Sequence, residues 1–261
     1  MTPEEMVSRL LYRDGLMLVV DKPAGLAVHP GPPSTDKGKE CLQHHFGALR
    51  FGLPRPPALA HRLDRDTSGC LVLGRHRKAL AQLGRLFKSG AVEKTYWAIV
   101  EGSPAEQHGT IELPLGRLDV TRGWWMKHDP EQGQPAVTKW KVLGKARGTS
   151  DDAKVLTWLA LEPLTGRTHQ LRVHCAEMGW PILGDSIYGN APRHGGPTLH
   201  LQAREIIVPL YKNRPPVRVT APVPAHMREA LTACGWSGKE NDIASAEAAA
   251  TIERGANTAS P

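Results

Sequence analysis

The chain has 261 residues, with 33 Lys and Arg against 26 Asp and Glu, which gives a formal net charge of +7. Hydrophobic residues make up 40% of the sequence and charged residues 23%, a globular composition that excludes a largely disordered, collagen-like or coiled-coil chain. No segment approaches the ~20 apolar residues of a membrane-spanning helix, and we expect no signal peptide and no membrane partner.

Short apolar runs between turn residues predict the strands, and helical periodicity predicts the helices. The predicted strands lie near residues 16–20, 70–74, 94–101, 109–113, 136–142, 155–162, 199–201 and 205–210. The predicted helices lie near residues 41–46, 78–88, 168–178 and 223–234. The strands at 136–142 and 155–162 flank a polar loop and are expected to form a hairpin. Many strands with few helices between them predict an α+β fold with a mixed, largely antiparallel sheet and flanking helices.

The end of the chain differs from the rest in composition. Residues 237–261 carry two basic and four acidic residues and contain no aromatic residue. We predict a folded domain over residues 1–236 and a disordered tail over 237–261, with a frayed helix near 243–254. The remaining 31 basic and 22 acidic residues give the domain a net charge of +9, which permits a polyanionic partner such as RNA.

The metal-binding and cofactor patterns are weak or absent. The motifs G-x-G-x-x-G, G-x-x-x-x-G-K-[ST] and H-E-x-x-H do not occur. His169 and His174 are five residues apart, so on a helix they point to different faces. The four cysteines have no paired spacing, which predicts free thiols and a cytoplasmic protein without metal or disulfides.

The segment 61–69, His-Arg-Leu-Asp-Arg-Asp-Thr-Ser-Gly, places many charges just before a predicted strand. Its Asp64 lies between Arg62 and Arg65, and nearby cations favour an ionised carboxylate. Such a group can serve as a nucleophile, a base or an electrostatic stabiliser. On the residues alone, a structural turn with solvated charges is the favoured interpretation.

A second polar segment, 166–174, opens a predicted helix, where free N–H groups favour an anion. Its Arg167 and Arg172 can pair with Asp64 or with a phosphate. The alternative is a capped amphipathic helix with exposed basic groups. Tyr96 lies on a predicted strand, where a tyrosine is more often part of the core than catalytic.

Taken together and in order, six segments resemble the RluA family of pseudouridine synthases, over roughly residues 11–230. They are VVDKPAGLAVHPG at 19–31, HRLDRDTSG at 61–69, EKTYWAIVEG at 93–102, GQPAVTKWKVL at 133–143, TGRTHQLRVH at 165–174 and MGWPILGDSIYG at 178–189. The resemblance implies the pseudouridine synthase fold with a central catalytic cleft. It also implies isomerisation of uridine to pseudouridine within RNA, with no cofactor and no metal.

The resemblance also implies roles for individual residues. Asp64 aligns with the family's catalytic aspartate, and Tyr96 with the tyrosine that stacks on the base and helps to deprotonate C5. Arg172 aligns with the arginine that pairs with the aspartate. Arg62 occupies the position from which an arginine can enter the RNA stack as the target base leaves. The other residues assigned to RNA binding are Arg65, Arg167 and His169.

The resulting expectation is a monomeric enzyme that acts on ribosomal or transfer RNA. Many relatives carry an accessory RNA-binding domain, whereas only about ten residues precede the first match here, so we expect the catalytic domain to select the RNA. At residues 207–211, Ile-Val-Pro-Leu-Tyr replaces a His-Pro common in the family, which leaves the subgroup open.

Two other functions stay in view. A non-catalytic RNA-binding protein would not need Asp64, Tyr96 and Arg172. A hydrolase using Asp64 with His61 or His169 lacks a second acid at a recognisable spacing. The sequence Trp-Trp-Met at 124–126 fits either an RNA-stacking contact or a packed hairpin, of which the hairpin is favoured.

Overall fold

The computed structural model describes residues 1–30, 40–119, 124–146 and 155–239. Within these ranges the strands are β1 (Leu10–Arg13), β2 (Met17–Lys22), β3 (Ala58–Leu59), β4 (Ser68–Gly74), β5 (Glu93–Glu101), β6 (His108–Glu112), β7 (Leu115–Arg117), β8 (Met126–His128), β9 (Val137–Ala146), β10 (Leu156–Pro163), β11 (Leu201–Val208) and β12 (Val217–Thr220). The helices are α1 (Pro3–Ser8), α2 (Arg77–Lys88), α3 (Gln170–Glu177) and α4 (Ala225–Ala233), with a 3₁₀ helix at Leu42–Leu49. None of the helices in these ranges has the length and apolar character needed to cross a membrane.

A ten-stranded sheet runs through the molecule in the order β1-β2-β4-β11-β5-β10-β9-β6, with β3 beside β4 and β12 beside β11. Every neighbouring pair is antiparallel except β4 and β11, which run parallel where Ser68 and Gly69 face Gln202 and Ala203. Strands β7 and β8 form a separate two-stranded hairpin. The predicted α+β class with a mixed, largely antiparallel sheet is therefore confirmed.

Apolar side chains cover the sheet on both faces. Leu83 of α2 packs with Val72 of β4 and Val19 of β2, as expected for the apolar stripe of an amphipathic helix. At the other end, Met227 and Leu231 of α4 belong to a cluster built around three buried indoles, Trp97, Trp158 and Trp236. These clusters make the sheet a rigid base for the loops at its edge.

Most predicted elements are present within a few residues of their expected bounds. The hairpin is confirmed, since β9 and β10 pair along their length, although residues 147–154 of its loop lie outside the described residues. The strands predicted at 199–201 and 205–210 are one strand, β11, because the polar residues between them are buried in the sheet. The helix predicted at 41–46 is a 3₁₀ helix. The predicted tail helix at 243–254 lies outside the described residues.

Several elements were not predicted from the sequence. They are α1, β1, β3, β7 and β12, whereas β8 falls where a hairpin was the favoured interpretation of residues 124–126. Each is short, and most have few fully buried side chains, so the local apolar pattern is weak.

Candidate active site

A cleft of about 620 Å³ opens where the segment before β4, strand β5 and the start of α3 meet. Asp64 is the single carboxylate among the described residues that line it, against five basic side chains. The basic residues are Arg62, Lys88, Lys94, Arg167 and Arg172. A concave surface of this charge attracts a polyanion and presents one potentially reactive carboxylate to it.

The order of the central strands brings Asp64 and Tyr96 to the same cleft. Ala203 of β11 pairs with Gly69 of β4 on one side and with Tyr96 of β5 on the other. Since neighbouring strands lie ~4.8 Å apart, the Cα atoms of Gly69 and Tyr96 are separated by about 10 Å. Asp64 lies five residues before Gly69, in the turn that leads into β4.

Gly69 is required for this approach of strands. Its φ of +103° lies in a region that favours glycine, and a Cβ at this position would meet the carbonyl group of Ala203. Gly69, the last residue of the segment 61–69, therefore allows β4 to pair with β11. This pairing positions the turn that carries Asp64.

The turn itself is held by backbone contacts. The Thr67 amide donates to the Asp64 carbonyl at 3.2 Å. His61 accepts the Val72 amide on Nε2 at 3.0 Å and stacks on Phe87 at 4.5 Å between ring centroids. Burial, with a further contribution from the Lys94 charge, lowers the pKa of His61 to about 3. His61 is thus a neutral structural side chain whose lone pair is already bound, which argues against a hydrolase that uses His61 as its base.

Lys22 is a site residue that the sequence analysis missed. Its fully buried ammonium donates to the carbonyls of Pro23, Leu26 and Arg65 at 2.7–2.8 Å. Burial lowers the pKa of Lys22 to about 7, although nearby carboxylates, Asp64 included, act in the opposite direction. The lysine ties the loop after β2 to the turn that carries Asp64. A lysine followed by a proline does not indicate, from sequence alone, that its ammonium is buried and bound to three carbonyl groups.

Tyr96 lies half-buried in the cleft wall. Burial and then the charge of Asp64 raise the pKa of its phenol, so the hydroxyl stays protonated at neutral pH. Within the described ranges we find no hydrogen-bond partner for this hydroxyl. The ring and hydroxyl are therefore available to a bound base.

Arg172 does not form the ion pair with Asp64 that the resemblance implies. Its Nε and Nη2 atoms donate to the two carboxylate oxygens of Asp185, both at 2.7 Å, and both side chains are buried. Asp185 also accepts the amides of Ile187 and Tyr188 at 2.9 and 3.1 Å. The Asp185 carboxylate, in the loop after α3, therefore pairs with Arg172 through two hydrogen bonds in a buried environment. Asp64 acts on Arg172 only through a longer-range electrostatic interaction.

His169 is the side chain that the structure places beside Asp64. Its Nε2 lies 3.8 Å from Oδ2 of Asp64, and its Nδ1 lies 2.8 Å from the Tyr188 hydroxyl. Burial lowers the pKa of His169, with Asp64 opposing the shift, so the imidazole is neutral at neutral pH. The backbone of His169 has a φ of +53°, in the left-handed region, just before the first turn of α3.

The remaining predicted cations differ in position. Arg62 and Arg167 are exposed on the cleft wall, where Arg167 Nε donates to the Pro135 carbonyl at 3.1 Å. Arg65 points elsewhere, since its Nε donates to the Gly25 carbonyl at 3.0 Å and the residue does not line the cleft.

Polar side chains of α3 are buried rather than exposed, so the amphipathic alternative is wrong. Gln170 accepts the Arg167 amide and the Thr165 hydroxyl, and donates to Val137, which fixes the loop before the helix. His174 contacts Thr138 on the side away from His169. Val137 and Thr138 could not be predicted as partners, because they lie on β9, far from α3 in sequence.

The hairpin of β7 and β8 stands beside the cleft. Trp124 is 58% exposed and meets His169 edge-on at 5.5 Å between ring centroids. The favoured interpretation, in which this aromatic segment packs a hairpin, does not hold for Trp124. Its neighbour Trp125 lies under the guanidinium of Arg193 at 4.8 Å. An exposed indole next to the cleft offers a stacking surface for a base.

Comparison with known proteins identifies the family of this chain. The family model PseudoU_synth_2, RNA pseudouridylate synthase, matches residues 16–177. An uncharacterized RNA pseudouridine synthase of Zymomonas mobilis is 39% identical over 84% of this chain and 95% of its own length. The ribosomal large subunit pseudouridine synthase C of Vibrio cholerae is 33% identical over 87% of this chain and 70% of its own length.

A solved structure extends the match to the fold. Human RNA Pseudouridylate Synthase Domain Containing 1 is similar with a TM-score of 0.67 and 30% identity, over 86% of both chains. The family match and the shared fold confirm the resemblance read from the six segments. The chain belongs to the RluA-type RNA pseudouridine synthases, enzymes that isomerise uridine within RNA.

Proposed function

We propose that this enzyme converts specific uridines of ribosomal or transfer RNA, and that Asp64 is its catalytic group. The observation that carries the proposal is the cleft lining, in which one carboxylate stands among five cations and close to an unbound tyrosine hydroxyl. We also propose that the enzyme acts in the cytoplasm and as a monomer.

The reaction needs no net oxidation or reduction. The N1–C1′ bond of uridine breaks, the base turns, and a C5–C1′ bond forms while C5 loses a proton and N1 gains one. The carboxylate of Asp64 forms a transient covalent bond to the nucleotide, and that bond breaks again before pseudouridine leaves. Tyr96 stacks on the base and, because its hydroxyl is protonated, assists removal of the C5 proton by relaying protons rather than as a phenolate base. Arg172, fixed by Asp185, contributes positive potential at the carboxylate rather than a direct ion pair.

The target base must leave its helix before Asp64 can reach it. Turning a nucleotide out of a stack requires a few kcal/mol, which contacts to the extruded base and backbone offset. Arg62, exposed at the cleft wall, is suited to take the place of the base in the stack. Arg167 and Lys88 are suited to the phosphates on either side.

The test is the release of tritium from RNA labelled at uridine C5, since each conversion removes that hydrogen. Asp64→Asn is expected to abolish release while RNA binding persists. Asp66→Asn, the same change two residues along in a side chain that does not line the cleft, serves as the matched control. Near-normal release by Asp64→Asn would refute the assignment.

The RNA target requires a separate experiment. Ribosomal RNA is supported by the name of the Vibrio cholerae relative, a ribosomal large subunit pseudouridine synthase. Pseudouridines are to be mapped in ribosomal and transfer RNA from cells with and without the gene. Loss of a site in one class identifies the substrate. Wild-type protein that binds RNA but converts no uridine in either class would favour the non-catalytic alternative.

A further inference from the structure

We infer that His169 is a positioning residue for Asp64, and that the Tyr188 hydroxyl fixes which ring nitrogen of His169 carries the proton. The inference deepens the proposed function, since it rests on Asp64 as the catalytic group. It concerns the orientation of that carboxylate, which Arg172 does not hold.

The hydrogen bonds of the Tyr188 hydroxyl favour one tautomer of His169. Its oxygen accepts the amide of Met126 at 2.9 Å. Its own hydrogen then has one acceptor among the described residues, Nδ1 of His169 at 2.8 Å. A neutral imidazole that accepts on Nδ1 carries its hydrogen on Nε2. That Nε2–H faces Oδ2 of Asp64.

Tyr188 is itself held by the pair described above. Its amide donates to Asp185, and the guanidinium of Arg172 lies over its ring at 5.3 Å from the centroid. Arg172 therefore acts on Asp64 through a connected set of side chains: Arg172 and Asp185 fix Tyr188, and Tyr188 fixes His169.

The backbone of His169 also points to a site built for this contact. A residue with a Cβ pays an energetic cost in the left-handed conformation, and such strain persists where surrounding contacts fix it. The 3.8 Å separation is longer than a formed hydrogen bond. Contacts of this kind shorten when substrate binds. A donor at Oδ2 then turns the other carboxylate oxygen toward the nucleotide.

The first experiment compares His169→Gln with His169→Met, two side chains of similar length. Glutamine places an N–H₂ near the position of Nε2, whereas methionine has no donor. We expect His169→Met to lower the single-turnover rate of tritium release by about 10- to 100-fold, the range of one hydrogen bond to a charged group. We expect His169→Gln to recover much of that loss. The single-turnover rates are measured with enzyme in saturating excess over RNA, so that a change in RNA affinity does not enter the comparison. Equal rates for the two variants would overturn the inference.

The second experiment reads the tautomer in wild-type protein by the ¹⁵N shifts of its histidine rings, with the His169 signals assigned by their absence in His169→Gln. We expect a pyridine-like Nδ1 and a pyrrole-like Nε2, and a shift of this balance in Tyr188→Phe. A pyrrole-like Nδ1 in the wild type refutes the inference even if His169→Met fails to fold. Wild-type protein that converts no uridine would instead refute the proposed function.

Discussion

Replacing Asp185 with Asn tests the buried pair that supports the cleft. The Asp185 and Arg172 side chains are 1% and 4% exposed, so neither has water to replace a lost partner. Asp185 accepts two N–H groups from Arg172 and the amides of Ile187 and Tyr188. An asparagine amide presents N–H₂ where one of these donors points, and the guanidinium stays charged.

We expect Asp185→Asn to lower the free energy of unfolding by about 3–5 kcal/mol, as for other buried pairs broken on one side. Domains are stable by only ~5–15 kcal/mol, so the loss is a large fraction of the total. With a urea dependence of about 2–3 kcal/mol per molar, the unfolding midpoint falls by about 1–2.5 M. Glu177→Gln, an exposed position at the end of the same helix, is the control and should stay within about 0.5 kcal/mol of wild type.

The pH dependence gives an independent check. Burial alone would raise the pKa of Asp185, but the Arg172 hydrogen bonds and charge, with two backbone amides, hold it below its usual value. The stabilisation is therefore present above the unfolded-state pKa and is lost as pH falls through the lower folded-state pKa. The difference in free energy of unfolding between wild type and Asp185→Asn should therefore become smaller at acid pH. A decrease in the free energy of unfolding of less than about 1 kcal/mol at pH 7.5 would refute the reasoning, because a buried charge left without its partner costs more than that.

Three further predictions concern separate parts of the molecule. Burial raises the pKa of Asp21 to about 6, so its ionised form opposes folding. Asp21→Asn should therefore raise the free energy of unfolding by about 1–2 kcal/mol at pH 8 but not at pH 4. Urea unfolding at the two pH values measures this difference, and destabilisation by Asp21→Asn at pH 8 would contradict it. Gly69→Ala forces a Cβ against the Ala203 carbonyl and should lower the melting temperature by about 6 °C or more, whereas a shift under about 2 °C would show that β4 can move aside. Trp124→Ala should raise KM for RNA by about 5- to 100-fold with little change in kcat, the range for one lost stacking contact, and an unchanged KM would exclude stacking.

The elements with a regular pattern were predictable, and those with buried polar residues were not. Helix α2 follows from its periodic leucines and closes at Gly90, which has a φ of +73°. The sequence pattern predicts two strands where the structure has one, β11, because Gln202 and Arg204 interrupt the apolar run. Both are fully buried, and their carbonyl partners lie on the segment after β12. Local sequence carries no record of such distant partners.

The same limit applies to the cleft. Asp64 and Tyr96 lie together there, as the six segments led us to expect, and so do Arg62, Arg167, Arg172 and His169. The partner of Arg172 could not be predicted, because it depends on how the loop after α3 folds back. The left-handed backbone of His169 was equally unreadable, since its neighbours in sequence are ordinary loop and helix residues.

Strand β11 has a consequence for how the protein is made. Among the described strands it alone joins the group β1-β2-β4 to the group β5-β10-β9-β6. Its partners Gly69 and Tyr96 are synthesised more than a hundred residues before Ala203. A growing chain therefore holds two partial sheets with open edges until β11 emerges, a topology that folds slowly and exposes edges to wrong pairing. The cleft therefore forms late in synthesis, when this single strand pairs with both groups.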